Sequence, residues 1–185
     1  MRISICILLH PARKQYLEYL ISKLGNVMIA LDTGTGLNEN SKNAWSRYSS
    51  DADFHLVLDD DSLICKNFYS ELNRILEDDS FAYSLYWGEI PLAPEAYRKG
   101  YHEDLTLMFG NSICLPTKII PQMLEFASQP HLKDMPFDGR IARYLPLRNM
   151  PVRTPIPCLV DHRTETKSLV GNNGLNRKAF SFIGE

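Results

Sequence analysis

The run His55-Leu56-Val57-Leu58 ends in three consecutive carboxylates, Asp59-Asp60-Asp61. Apolar residues without polar alternation predict a strand covered on both faces, the kind found where helices flank a sheet on each side. Open sheets of that class bind ligands just beyond the carboxyl ends of their strands, and that is where these acids fall. Two like charges 4 Å apart repel by about 4 kcal/mol at an effective dielectric near 20. A packed acidic triplet therefore needs a cation or a proton beside it, and a divalent-metal site is the expectation.

The rest of the chain repeats the alternation of strand and helix. Residues 3–9 are apolar and stop before Pro11, which blocks extension of a strand. Tyr16, Leu17, Leu20, Ile21 and Leu24 follow helical spacing up to Gly25, a residue suited to ending a helix. A second short run, 27–31, ends in Asp32 and the turn Thr33-Gly34-Thr35-Gly36. Trp45 and Tyr48 share a face in a short helix over 38–48. Asn67 is placed to cap a helix carrying Phe68, Leu72, Ile75 and Leu76. Residues 81–87 suit a strand, and 93–104 read as an irregular loop, a kind of segment that is often functional. A strand over 112–115 leads to a helix with Pro116 in its first turn. Phe137, Ile141, Tyr144 and Leu145 outline another helix, with Asp138 in its first turn. The last apolar run, from Cys158, ends in Asp161-His162. This order predicts an α/β domain with a mostly parallel central sheet flanked by helices.

Composition narrows the classes. At 185 residues the chain fits one domain, and 44% apolar with 23% charged residues is ordinary for a globular protein. No apolar stretch approaches the roughly 20 residues of a membrane span. A formal charge of −2 lacks the basic footprint of a protein that grips nucleic acid through phosphates. The N-terminal run shows no small-residue cleavage site, so it reads as a strand and not a signal peptide. Cys6, Cys65, Cys114 and Cys158 are widely spaced with no Cys-x-x-Cys pair, which favours buried thiols in a cytoplasmic protein over disulfides.

In order along the chain, the first strand with Pro11-Ala12-Arg13, the second strand ending at Asp32, Asp59-Asp60-Asp61 as an Asp-x-Asp motif, Phe137-Asp138-Gly139-Arg140 and Leu159-Val160-Asp161-His162 resemble a small, nucleotide-sugar-dependent glycosyltransferase of the GT-A fold. The late segment, with 168–171 after it, is most similar to compact bacterial and phage enzymes. The resemblance implies a single Rossmann-like domain: a nucleotide-binding half (1–61), an acceptor and catalytic half (62–162) and a mobile tail (163–185). It implies transfer of a sugar from a nucleoside-diphosphate donor, a UDP-sugar first, to a hydroxyl on a glycan, lipid, protein or modified nucleobase. Asp61 is the implied primary metal ligand, Asp59 its partner facing ribose or the metal's waters, and His162 the second protein ligand, while Asp60 orients the loop. The imidazole favours Mn2+, with Mg2+ as substitute. Pro11, Arg13 and Asp32 are nominated for the nucleoside and Lys167 for the phosphates. Asp138 occupies the place of the catalytic base, although relatives often carry two adjacent acids where this chain has Asp138-Gly139; Glu103 and Asp104 are the reserve candidates.

Two other readings share features with this one. A haloacid-dehalogenase-type phosphatase also ends a strand in Asp-x-Asp, but normally on the first strand, with Thr or Val two residues on, where this chain has Leu63. A non-catalytic nucleotide- or glycan-binding module of the same fold would keep the pocket without turnover.

Overall fold

The computed structural model describes residues 1–88, 90–166 and 177–185. In chain order its strands are β1 (Ile3–Leu9), β2 (Met28–Leu31), β3 (Phe54–Asp59), β4 (Ser62–Ile64), β5 (Ala82–Ser84), β6 (Tyr101–Asp104), β7 (Ser112–Pro116), β8 (Val152–Pro155) and β9 (Val160–His162). The helices are α1 (Leu17–Leu24), α2 (Leu37–Ser46), α3 (Phe68–Ile75), α4 (Pro94–Lys99), α5 (Ile120–Ala127) and α6 (Phe137–Leu147).

Seven strands form one sheet in the order β2-β1-β3-β7-β5-β8-β6, and β4 pairs with β9 in a small second sheet. β2, β1, β3, β5 and β8 run one way, while β7 and β6 run against them. The sheet is mostly parallel, and β7 enters antiparallel beside β3.

The uninterrupted apolar character of β3 is explained by what covers it. Leu56 and Leu58 face a core that includes Leu20 and Leu24 of α1 and Phe68 and Leu72 of α3. Val57 faces the opposite core, with Trp45 of α2, Met123 of α5 and Ile141 of α6. Both faces are thus closed by helices, and burial of each such side chain stabilises by about 1.5–3 kcal/mol. β3 lies at the middle of the molecule with its carboxyl end open.

Several local expectations change in the fold. Residues 93–104 are not an irregular loop: Pro94 opens α4, Gly100 closes it at φ 76°, and β6 pairs antiparallel with β8. β6 carries no apolar alternation of its own; a distant strand decides it. Pro116 ends β7 instead of opening a helix; a 3-10 turn, Thr117–Ile119, follows, and Pro121 takes the first turn of α5. Asn67 precedes α3 in the left-handed region (φ 57°) without a side-chain cap bond, so its tolerance of that conformation is what suits it there. The sequence leaves the whole of 163–185 as a loop, yet residues near its end are tied to the core. Phe180 N–H donates to Trp87 O at 2.9 Å, Cys158 N–H to Ser181 O at 2.7 Å and Lys66 N–H to Gly184 O at 2.8 Å. All four cysteines are buried thiols. Among the described residues no helix is long and apolar enough to cross a membrane.

Candidate active site

β1 and β3 lie side by side in parallel register, with Leu8 opposite Asp59, so the chain leaves both strands at one edge of the sheet. After β1 it turns through His10 and the 3-10 segment Pro11–Tyr16. Asp60 clamps this turn: its Oδ2 accepts from His10 N–H at 2.7 Å and its Oδ1 from Arg13 Nη1 at 2.9 Å. Asp60 thus ties the end of β3 to the turn after β1. Arg13 also reaches Asp61 Oδ2 at 3.0 Å.

Asp61 is fully buried. The antiparallel pairing of β4 with β9 puts Ser62 opposite His162, which carries the imidazole across to Asp61. His162 Nδ1 lies 3.2 Å from Asp61 Oδ1, a long contact, and among the described residues both are buried atoms that lack a close hydrogen-bond partner. Asp161 turns away from the cluster. Its Oδ1 accepts from His162 N–H at 2.8 Å and Ala179 N–H at 2.6 Å, so it pins the tail to β9. The pinned tail delivers Arg177, whose Nη1 donates to Asp61 Oδ2 at 2.9 Å and whose Nη2 donates to Thr166 O at 2.6 Å. Tyr86 Oη donates to Arg177 O at 2.8 Å and fixes its backbone.

The three adjacent acids have three electrostatic settings. Burial pushes Asp59 well above the usual carboxylate range, and its neighbours Asp61, Asp60 and Asp138 push the same way. Burial also raises Asp60, against the opposing His10 N–H and Arg13. Burial opposes ionisation of Asp61 too, but His162, Arg13 and Arg177 together bring it down to about 2. Asp61 is the permanently charged member of the triplet.

Two adjoining clefts open over this edge. One, of about 350 Å3, is lined by His10, Arg13, Asp32, Asn40, Asp60 and Arg177 among others. The other, of about 800 Å3, is lined by Glu39, Asn111, Asp134, Asp138 and His162 among others. Asp59, Gly36, Leu37 and Arg177 border both. Asp32 stands in the smaller cleft with its Oδ1 accepting from the N–H groups of Gly34, Thr35 and Gly36 at 2.8, 3.1 and 3.3 Å. Asp138 stands at the mouth of α6, exposed, with Oδ1 accepting from Gly139 N–H at 2.8 Å. It presses on Gly110: a Cβ there would sit 2.6 Å from Asp138 Cβ.

Of the residues nominated from sequence, Arg13, Asp32, Asp59, Asp60, Asp138 and His162 line these clefts, while Asp61 lies fully buried behind them, in contact with Arg13, His162 and Arg177. Pro11 is exposed at the start of the 3-10 turn, and its neighbour His10 lines the smaller cleft instead. Lys167 lies outside the described residues. Glu103, one reserve base, is held by Arg153 at 2.9 Å on the edge strand β6. Arg177, His10, Gly110 and Asn111 belong to the site without having been legible beforehand; a single arginine in a polar tail gives no sequence signal.

Among the described residues, no group of three or more His, Cys, Asp or Glu side chains is close enough to enclose a metal. The smaller set still fits a divalent cation. Asp61 Oδ1 and His162 Nδ1 are both orphaned, and their 3.2 Å separation is near the roughly 3 Å between adjacent ligands of an octahedral ion at about 2.1 Å. Two protein ligands are what an ion shared with substrate phosphates needs.

Solved structures show the same architecture. GalNAc-T7, solved with UDP, GalNAc and Mn2+, superposes at TM-score 0.56 with 12% identity over 95% of this chain; the chain spans about half of that protein, 46%. A glycosyltransferase involved in glycosylation of the major capsid of PBCV-1 gives TM-score 0.52 and 12% identity, covering 90% of this chain and 95% of that one. The chain has the GT-A fold. A protein from STIV is similar as well, at TM-score 0.56 and 11% identity over 88% of this chain and 86% of its own. No family model matches the sequence, and no curated protein matches it in sequence. Within the GT-A fold the acids close the third strand, β3, whereas the phosphatase alternative expects them on the first, where this chain has Leu9-His10.

Proposed function

We propose that the chain is a metal-dependent glycosyltransferase that moves a sugar from a nucleoside diphosphate, a UDP-sugar first, to an acceptor hydroxyl. The observation that carries this reading is the pair of orphaned donors, Asp61 Oδ1 and His162 Nδ1, at the edge of a GT-A sheet where two clefts meet. The smaller cleft takes the nucleotide. Asp32 and the turn it holds form one wall, and Arg13 with Asp60 shapes the other. Asp61 and His162 would hold the cation, with Asp59 as their partner at the site. Mn2+ suits the imidazole, and Mg2+ is the substitute.

Bound there, the ion neutralises charge developing on the departing pyrophosphate. Arg177, which borders both clefts, takes the phosphate role that Lys167 was given from sequence. Asp138 acts in the larger cleft as general base. Its Oδ1 is occupied by Gly139 N–H, so Oδ2 accepts the proton from the acceptor hydroxyl. The acceptor oxygen bonds to the anomeric carbon of the sugar, and the bond from that carbon to the phosphate oxygen breaks, its electron pair leaving with the nucleotide.

The rim of the larger cleft narrows the acceptor. Glu39, Asp134 and Asp138 line it, against Arg177 and His162. An acidic rim repels polyanions, which disfavours a nucleobase within DNA and favours a neutral glycan, or a hydroxyl on a peptide. A thermal-shift screen of UDP- and GDP-sugars with Mn2+ tests the proposal, because a ligand of the folded state raises the melting temperature. A shift that needs both metal and nucleotide sugar, followed by slow donor hydrolysis, is expected. Absence of any shift across the screen overturns the reading.

A further inference from the structure

Asn111 sits at the entrance to β7, and its carbonyl accepts from Asp59 N–H at 2.9 Å. It follows Gly110, the residue on which Asp138 presses. The Gly110-Asn111 pair therefore contacts two acids that line the larger cleft, Asp59 and Asp138. The Asn111 side chain is buried, and its Nδ2 has no hydrogen-bond partner. Its Oδ1 receives only a long 3.4 Å contact from Ser112 Oγ. A buried amide N–H without an acceptor is unusual and costly, and nothing in the fold of β7 requires a polar side chain here: the three residues that follow Ser112, Ile113-Cys114-Leu115, are apolar and buried. The terminal torsion of an asparagine is broad, so a bound ligand can draw the amide toward the cleft that Asn111 already lines.

We propose that Asn111 is a specificity-determining residue for the donor, its side-chain amide donating to a hydroxyl of the sugar carried by the nucleotide. This inference rests on the transferase reading of the site. The partner is a hydroxyl and not a phosphate oxygen because of what surrounds the amide. Asp138, Asp134 and Glu39 line the same cleft, and an anionic oxygen placed there meets like charge. A hydroxyl satisfies both kinds of neighbour, since it accepts from Asn111 Nδ2 and donates to a carboxylate oxygen. The phosphates find their positive charge at Arg177, which the smaller cleft shares.

The test compares UDP with UDP-glucose, UDP-galactose, UDP-xylose and UDP-N-acetylglucosamine, each with Mn2+, on the wild type and on Asn111→Ala and Asn111→Ser, by calorimetry. UDP carries no sugar, so its affinity should be the same for all three proteins. The best sugar donor should bind Asn111→Ala about tenfold more weakly than wild type, the worth of one neutral hydrogen bond, and Asn111→Ser should recover part of that loss through its hydroxyl. With monodeoxy forms of that donor, one position should cost the wild type about tenfold and the alanine variant nothing further. Equal weakening of UDP and UDP-sugar, or an unchanged sugar preference in both variants, overturns the role of Asn111 and leaves the transferase reading intact. A wild type that binds UDP-sugars no better than UDP overturns the sugar contact. A wild type that binds neither overturns both.

Discussion

Asp61 Oδ1 and His162 Nδ1 face each other at 3.2 Å with neither making a hydrogen bond. Buried polar atoms are rarely left this way without a ligand to serve. The pair is held from two directions, since Arg13 and Arg177 fix Asp61 through Oδ2 and the pairing of β4 with β9 fixes His162. His162→Ala removes one donor and leaves the contacts of Arg13 and Arg177 with Asp61 in place. Its melting temperature without ligand should stay near that of the wild type, while the Mn2+-dependent shift falls at least to half. Asp61→Asn goes further, because Arg177 loses its buried carboxylate while Arg13 keeps Asp60; destabilisation by about 3 kcal/mol is expected, with no metal response in differential scanning calorimetry.

Asp138→Asn keeps the shape of the cleft and removes the base. Sugar transfer should drop by about 10²–10⁴-fold with little change in UDP-sugar affinity. A variant that kept its full turnover would place the base elsewhere.

Gly110→Ala tests the same carboxylate without touching it. The new Cβ collides with the Asp138 side chain, and displacing a catalytic group by about 1 Å costs up to about 10²-fold in rate. Steady-state kinetics should show kcat falling while the affinity for UDP alone holds.

Asp32→Ala releases three N–H groups of the turn at 34–36. That turn is a wall of the nucleotide cleft, so titration calorimetry should find UDP binding weakened by about tenfold, the equivalent of about 1.4 kcal/mol.

His55 lies under the sheet, away from the clefts, with its ring nitrogens 2.8 Å from Ser4 Oγ and 3.2 Å from Ala44 O. Burial outweighs both contacts and lowers its pKa to about 4. An unfolded histidine titrates near 6.5, so between these values the unfolded chain binds the proton that the folded chain refuses. The stabilising contribution is complete above about 6.5, and falls as pH drops through that window by up to about 3 kcal/mol. Urea unfolding at pH 7 and pH 4.5 should show this loss, and in His55→Gln the difference between the two pH values should shrink.

Much of the order of strands and helices, though not β4 or β8, the buried centre of β3 and the acids at its end were written in local pattern: runs of apolar residues, a glycine where α1 stops, a proline where β1 cannot continue. Those signals are local because they express what one segment can do with its own backbone and faces. The two elements within 93–104 were not visible, since β6 exists through its pairing with β8 and carries no periodicity of its own. The reversal of β7 had the same cause, as a strand's direction is set by the neighbour it meets.

The site divides along the same line. Sequence alone placed Asp59, Asp60, Asp61, Asp138 and His162 at the ends of strands and at the start of a helix. Only the tertiary structure gave the three acids their separate settings, with Asp60 tied to His10 and Arg13, Asp61 held ionised between two arginines and a histidine, and Asp59 raised beside Asp138. Only folding brought Arg177 to Asp61 and left Asn111 with an unspent N–H, because charge and hydrogen-bond satisfaction depend on neighbours in space, and those neighbours are far apart along the chain.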